Sequence, residues 1–409
     1  MTTPEVVQHV PFASCVEEFR YGTSEKSASS GKPALRIPNV VGGKLNLDEL
    51  KCVPVDDAEF ERLRLFEGDV LFVRTNGNPN FVGRSAIFTR SAVLDYGYDP
   101  SEFIYASYLI RARLNQSLVL PEFLCHYLSS PEGRQAVRER CRTSAGQFNI
   151  NTAGLGTIPL PLPPLREQVR IASILDKADA IRRKREEGIR LTEEVLRSTF
   201  LEMFGDPVRN EHSWPIVKVR EAGDVQLGRQ RAPKYQSGKH TCPYIRVANV
   251  FEDRIDLSDL LAMDFNPSDF AAFKLYYGDI LLNEGQSTEL VGRPAMWRDE
   301  IPECCFQNTL VRFRSNLKRT VPEFALEVFL YYLRKGQFAR ISSKTSSVAH
   351  LGAGRFAEMP FPLPPLEMQH EFAARRRKVH ELLERRQRQY RETADLFKSL
   401  VQRAFRGEL

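Results

Sequence analysis

One segment occurs twice in this 409-residue chain, and the two copies leave little of the fold free. PLPPLREQVRIASILDKADAIRRKREEGIRLTEEVLRSTFLEMF runs from Pro161 to Phe204, and PLPPLEMQHEFAARRRKVHELLERRQRQYRETADLFKSLVQRAF runs from Pro362 to Phe405, a gapless match at an offset of 201 residues. Consecutive prolines fix φ, favour extended backbone and end whatever precedes them. Nothing after them breaks a helix: from about Val169 to Phe204 there is one glycine, no proline, and a majority of Ala, Leu, Arg, Lys and Glu. Roughly 36 residues at 1.5 Å each predict a helix of about 54 Å, far longer than the globular average.

Apolar residues at Ile171, Leu175, Ala178, Ile189, Leu196 and Met203 follow the 3,4 spacing of a coiled-coil seam, and so do Phe372, Val379, Leu383, Tyr390, Phe397, Leu400 and Ala404. Arg182 and Arg185 interrupt the first stripe and Arg376 and Arg386 the second, although arginine stems can cover apolar surface while their heads reach water. Two such helices in one chain predict an antiparallel pair, with Ile171, Leu175, Ile189, Leu196, Phe372, Val379, Leu383, Tyr390 and Phe397 at the contact. The alternative is that each helix packs separately on its own domain.

The segments between the helices are duplicated as well. Leu35-Arg36-Ile37-Pro38-Asn39-Val40 matches Ile245-Arg246-Val247-Ala248-Asn249-Val250, and Gly68-Asp69-Val70-Leu71-Phe72 matches Gly278-Asp279-Ile280-Leu281-Leu282, both at an offset of 210. Val82-Gly83-Arg84 matches Val291-Gly292-Arg293 at 209, and Pro121-Glu122-Phe123 matches Pro322-Glu323-Phe324 at 201. The glycines read as tight bends, with Arg84 and Arg293 either bracing the fold or touching phosphate. Short strand patterns mix with a helix from Pro121 to about Arg140. The expected fold is therefore mixed α/β: a tandem repeat of two similar domains, 1–157 and 206–358, joined by proline-led long helices, 158–205 and 359–409, with an approximate two-fold. The loops depart from this repeat. VRTNGNPNF in the first domain stands where the second has NEGQSTEL. A scaffold kept while its loops diverge suggests one binding task aimed at two targets, although neutral drift would also change loops first.

Hydrophobic content of 42% with no run near the ~20 apolar residues of a membrane span excludes an integral helical membrane protein. MTTPEVVQHV has no basic region before an apolar core, so no secretion signal is expected. Seven cysteines without a C-x-x-C pair fit a reduced, cytoplasmic setting and no structural zinc. Net charge is +6, and its placement matters more than its size: Arg375–Arg391 holds eight Arg or Lys against two Glu. That excess suits phosphate contact, or a solvated helix face with Glu–Arg pairs a turn apart.

IPLPLPPLREQ with its long helix, the junction Phe200-Leu201-Glu202-Met203-Phe204-Gly205-Asp206-Pro207, the second PFPLPPLEMQ and the terminal SLVQRAFRGEL make the whole chain resemble the specificity (S) subunit of a type I restriction-modification system. One departure is Met368-Gln369-His370-Glu371 where that family has a more regular E-Q-x-x-I run, which bears on how the second helix docks. The resemblance implies two target recognition domains on double-stranded DNA, each reading one half of a bipartite, asymmetric site. It implies paired helices that set the spacer and carry two modification subunits, with restriction subunits joining them. S-adenosylmethionine, ATP and Mg would belong to those partners, and this chain would bind no cofactor or metal and catalyse nothing alone.

Loop side chains able to form bidentate base contacts are the candidate readers: Arg74, Asn76, Asn78 and Asn80 in the first domain, and Asn283, Gln286, Ser287 and Thr288 in the second. Each can equally be a turn residue bonding its own backbone. No G-x-x-x-x-G-K-[ST] loop is present, and Asn78-Pro79-Asn80-Phe81 and Asn266-Pro267-Ser268 only partly match the N-P-P-[YF] signature of adenine methyltransferases. Other readings are a specificity protein serving a modification-only complex, a free-standing methyltransferase or nuclease, and a coiled-coil scaffold without a DNA role.

Overall fold

A computed structural model describes residues 8–144, 146–231, 238–344 and 348–409. The chain divides into two compact units, Met1–Glu187 with Arg388–Leu409, and Gly188–Gln387. Each unit holds one mixed α/β domain and half of each long helix.

The helices are Leu165–Phe204 and Leu366–Phe405, 40 residues each. They begin directly after the proline pairs, four residues earlier than composition alone places the first one, because Leu165-Arg166-Glu167-Gln168 are good helix formers with an acid in the first turn. Gly205, at φ 69°, ends the first helix in the left-handed conformation that L side chains rarely adopt. In the first unit Ile171, Ala172 and Leu175, from the start of one helix, share a core with Val401 and Ala404, from the end of the other. In the second unit Leu196, Phe200 and Phe204 share a core with Phe372 and Ala373. Start packs against end in both, which is the antiparallel arrangement.

The buried stripe does more than pair helices. Phe123, Leu124 and Tyr127 of the first domain belong to the same cluster as Ile171 and Leu175, and Phe324 of the second packs on Phe200 and Phe204 with ring centroids 6.0 and 4.8 Å apart. Phe372 and Leu383 are buried, while Ile189, Val379, Tyr390 and Phe397 are half-buried. All four arginines that interrupt the stripe have partners. Arg185 donates to the Gln389 carbonyl and the Thr393 hydroxyl in the first unit, and Arg386 to the Gly188 carbonyl in the second, so each crosses from one helix to the other. Arg182 binds Asp179 at 2.8 Å and lies over the Phe397 ring. Arg376 turns into its domain, as described below.

Each domain is built on a four-stranded antiparallel sheet. Its strand order is Val16–Tyr21, Leu109–Leu114, Val70–Val73, Ser85–Ile87 in the first unit, and Gly223–Leu227, Leu310–Ser315, Ile280–Asn283, Pro294–Met296 in the second. Every smaller sheet also recurs. Ile104–Tyr105, Lys32–Leu35 and Lys51–Val53 correspond to Cys305–Phe306, Thr241–Ile245 and Leu261–Asp264, with one parallel and one antiparallel pairing in each. His9–Pro11 pairs with Pro159–Pro161 as Ile216–Lys218 does with Pro360–Pro362.

The matched sequence positions have matched jobs. Asn39 and Asn249 each accept from the backbone N–H three residues earlier, at 2.8 and 3.1 Å, and each donates to two carbonyls of the following turn. Asp69 takes a two-pronged contact from Arg113 at 3.0 and 2.9 Å, and Asp279 one from Arg314 at 2.6 Å on both prongs. Such fork contacts are the stronger class of ion pair. Gly83 and Gly292 hold φ of 68° and 75°, and a Cβ at either would lie 2.5 Å from Val137 or Phe338.

The proline-led docking point is also duplicated. Gln168, fully buried, accepts from the Leu120 N–H at 2.9 Å and donates to the Leu118 and Pro163 carbonyls at 2.8 and 2.9 Å. Gln369, equally buried, accepts from the Val321 N–H at 2.9 Å and the Thr320 hydroxyl at 3.1 Å, and donates to the Arg319 and Pro364 carbonyls at 3.2 and 2.8 Å. The less regular start of the second helix therefore leaves its docking glutamine in place.

Candidate nucleic-acid interface

In each unit the divergent loop follows the third strand of the main sheet and immediately joins a three-stranded sheet. Thr75–Asn76 pairs with Gln147–Asn149, which pairs with Arg142–Ser144, and Phe148 lies opposite Asn76. In the second unit Gly285–Gln286 pairs with Ala349–His350, which pairs with Ser343–Lys344, and Ala349 lies opposite Gln286. Loop and hairpin are thus joined by backbone pairing in each unit. Arg142, Thr143, Ser144 and Gln147 are exposed on the first, and Ser343 and Lys344 on the second. Sequence reading missed the hairpins because their strands are two or three residues long. The signal was Gly146, a turn residue between the short polar stretches Arg142–Ser144 and Gln147–Asn149.

The candidate readers occupy unlike places. Asn76 accepts from the Asn78 N–H and Asn78 from the Asn80 N–H, both at 2.9 Å, so two of the three asparagines brace successive turns of their own loop. Arg134 fixes the same loop from below, donating to the Asn80 and Val82 carbonyls at 3.1 and 2.8 Å. The Asn80 side chain is exposed at the tip. Arg74 stacks on the Tyr21 ring, 4.7 Å from its centroid.

In the second loop Gln286 accepts from the Ser287 N–H at 3.1 Å, and Ser287 and Thr288 are half-buried. His350 meets Glu284 at 3.0 Å beside them. Asn283 lies outside this surface: it is the last residue of its strand, fully buried, with neither side-chain nitrogen nor oxygen exposed. Arg84 and Arg293 lie over the Phe81 and Phe251 rings at 4.1 and 4.9 Å, and burial lowers the pKa of each guanidinium, as expected of bracing side chains.

Among the described residues no cluster of three or more His, Cys, Asp or Glu is placed to hold a metal ion. No helix there is long and apolar enough to cross a membrane. The surface offers hydrogen-bond donors, acceptors and positive charge on a rigid base.

Residues 58–191 match the family described as the type I restriction modification DNA specificity domain. That match covers 134 of the 409 residues. The EcoKI specificity subunit of Escherichia coli K12 is 30% identical to it over 205 residues, 48% of this chain and 42% of that one. The StySPI specificity subunit of Salmonella potsdam is 27% identical over 174 residues, 41% of this chain and 36% of that one. The matches therefore span less than half of these curated relatives. Two solved structures extend the likeness in fold along nearly the whole chain. The S subunit from M. genitalium superposes with a TM-score of 0.58 at 12% identity, covering 97% of this chain and 95% of its own. A chain from a type I R-M system studied for complex assembly and conformational transition superposes at 0.51 and 16% identity, covering 98% of each.

Proposed function

We propose that this chain is the DNA-recognition subunit of a type I restriction-modification complex, non-catalytic alone, and that each domain reads one half of a bipartite asymmetric site. The observation that carries this reading is the pair of equivalent loop-and-hairpin surfaces whose scaffolds agree and whose side chains differ. Asn80, Arg142 and Gln147 face outward on one, and Gln286, Ser287 and Lys344 lie on the other. Amides and hydroxyls on such a surface discriminate base edges, whereas Arg142 and Lys344 suit phosphates. Asn76 and Asn78 serve as loop braces in this reading, and Asn283 is left out.

The long helices set the spacer between half-sites and carry two modification subunits. Exposed apolar residues support that role: Val169 and Ile181 in the first unit, and Leu191 and Val195 in the second, are 55, 51, 45 and 56% exposed on one helix. The modification and restriction subunits would bring S-adenosylmethionine, ATP and Mg, and the complex would work in the cytoplasm.

The test is to co-express the chain with its modification subunit in a host lacking adenine methylation and to map methylated adenines. A gapped, asymmetric motif that disappears without this chain supports the reading. Asn80→Ala and Gln286→Ala should each relax a different half of that motif. A motif unchanged by both, or methylation indifferent to the chain, would refute it.

A further inference from the structure

A chain made by duplicating one domain-and-helix unit faces a matching problem, because either domain could in principle settle on either helix. The shared features, Gln168 with Gln369 and the aromatic docking faces, do not discriminate. The charges do. At the constant offset of 201, Leu175, Asp176, Asp179 and Arg183 of the first helix stand opposite in sequence to Arg376, Arg377, His380 and Glu384 of the second. Where the first helix is apolar or acidic the second is basic, and where the first is basic the second is acidic.

The domain surfaces are inverted in the same sense. In the first unit Asp176 meets His126 at 2.9 Å, and Arg183 donates to the Gly42 carbonyl at 2.8 Å in the turn Val41-Gly42-Gly43-Lys44. In the second unit the position of His126 is Glu327, and the glycine turn has become Phe251-Glu252-Asp253-Arg254. Arg376, 1% exposed, contacts Asp253 at 2.6 Å and Glu327 at 3.4 Å. Arg298 holds Asp253 from the other side at 2.6 Å, Arg334 joins Glu252 at 2.7 Å and Glu327 at 3.4 Å, and Arg377 joins Glu323 at 3.0 Å. Asp253 keeps a left-handed φ of 51°, where the equivalent Gly43 sits at 85° without strain. A carboxylate has been placed where the backbone prefers glycine, and it is spent on the helix.

We propose that these inverted charges key each recognition domain to its own helix, so that the second docking position accepts only a domain carrying carboxylates at the places of Asp253 and Glu327. A domain of the first kind seated there would set His126 and two glycines against Arg376, while Glu122, at the place of Glu323, would still meet Arg377. A buried arginine would then have no counter-charge, a strongly unfavourable arrangement.

The experiment uses the whole chain and its two tryptophans, Trp214 and Trp297, which both lie in the second unit and report its unfolding in urea. One variant gives the second domain the first domain's residues, Asp253→Gly with Glu327→His. Another gives the helix its counterpart's residues, Arg376→Leu with Arg377→Asp. A third combines all four. Each pair alone should raise the unfolding constant of the second unit about a hundredfold, and the combination should recover at least tenfold of the summed loss. Should either pair fail to yield folded protein, Glu327→Gln, Arg376→Met and their double variant complete the same cycle. Losses that simply add, in either cycle, would overturn the proposal.

Discussion

Replacing Gln369 by alanine isolates what a single amide contributes where a long helix meets its domain. The side chain is wholly buried and serves four groups: the Val321 N–H, the Thr320 hydroxyl, and the Arg319 and Pro364 carbonyls. Alanine leaves the N–H and the hydroxyl without their acceptor in a site closed to water. At about 2 kcal/mol for each stranded donor, the second unit should lose about 4 kcal/mol. With a urea slope of about 2 kcal/mol/M, the tryptophan-detected midpoint should fall by about 2 M. Gln168→Ala strands a single donor, the Leu120 N–H, in the first unit, which has no tryptophan. Its loss should therefore appear in far-UV circular dichroism while the tryptophan midpoint moves much less. A Gln369→Ala shift below about 0.5 M would refute the reasoning, since it would mean that water or a backbone adjustment replaces the amide at little cost.

Three further outcomes are expected. Burial tends to raise the Asp253 carboxyl pKa, but Arg376 and Arg298 outweigh it and hold the group at about 2. A depressed carboxyl stabilises the fold above its unfolded pKa and loses that contribution as pH falls, so about 2 kcal/mol should disappear between about pH 4 and 2, and Asp253→Asn should flatten the tryptophan-detected midpoint in that window. Arg142→Ala and Lys344→Ala should weaken DNA binding by the chain's complex on cognate and random duplexes alike, each reducing the salt slope by about 1 in a titration of affinity against salt; an effect confined to the cognate site would assign them to base reading. Burial pushes the Cys125 and Cys304 thiols up to about 12, so neither should react with a thiol reagent at pH 8 until urea unfolds its unit, as labelling followed by peptide mapping would reveal.

The parts of this fold that could be read from the sequence are those fixed by neighbours in the chain. Prolines at 163 and 164 followed by helix formers, and Gly205 after Phe204, set the first long helix by local chemistry alone. Gly68-Asp69 and Gly278-Asp279 repeat because a left-handed glycine and a buried aspartate are needed together at the mouth of the same strand. The features that escaped depend on distant partners. Arg376 looked like a flaw in a coiled-coil stripe because its acids are 49 and 123 residues away. Asn283 looked like a loop residue because the sequence turns polar there, yet the strand continues through it and carries its amide inside, where the first unit has Val73. The hairpins beside the divergent loops are too short for any hydrophobic period to mark them.

The division of the chain into units has a consequence for how it is made. The first unit is interrupted: residues 388–409 return to it after the whole second unit, and Val401, Ala404 and Phe405 pack with Phe123 and Tyr127. On the ribosome, the domain synthesised first stays open on its Phe123 face until some 200 further residues have emerged, whereas the second unit can close while synthesis continues. A nascent chain arrested once Gln387 has emerged but before Val401 would therefore carry a closed second unit and an unfinished first one.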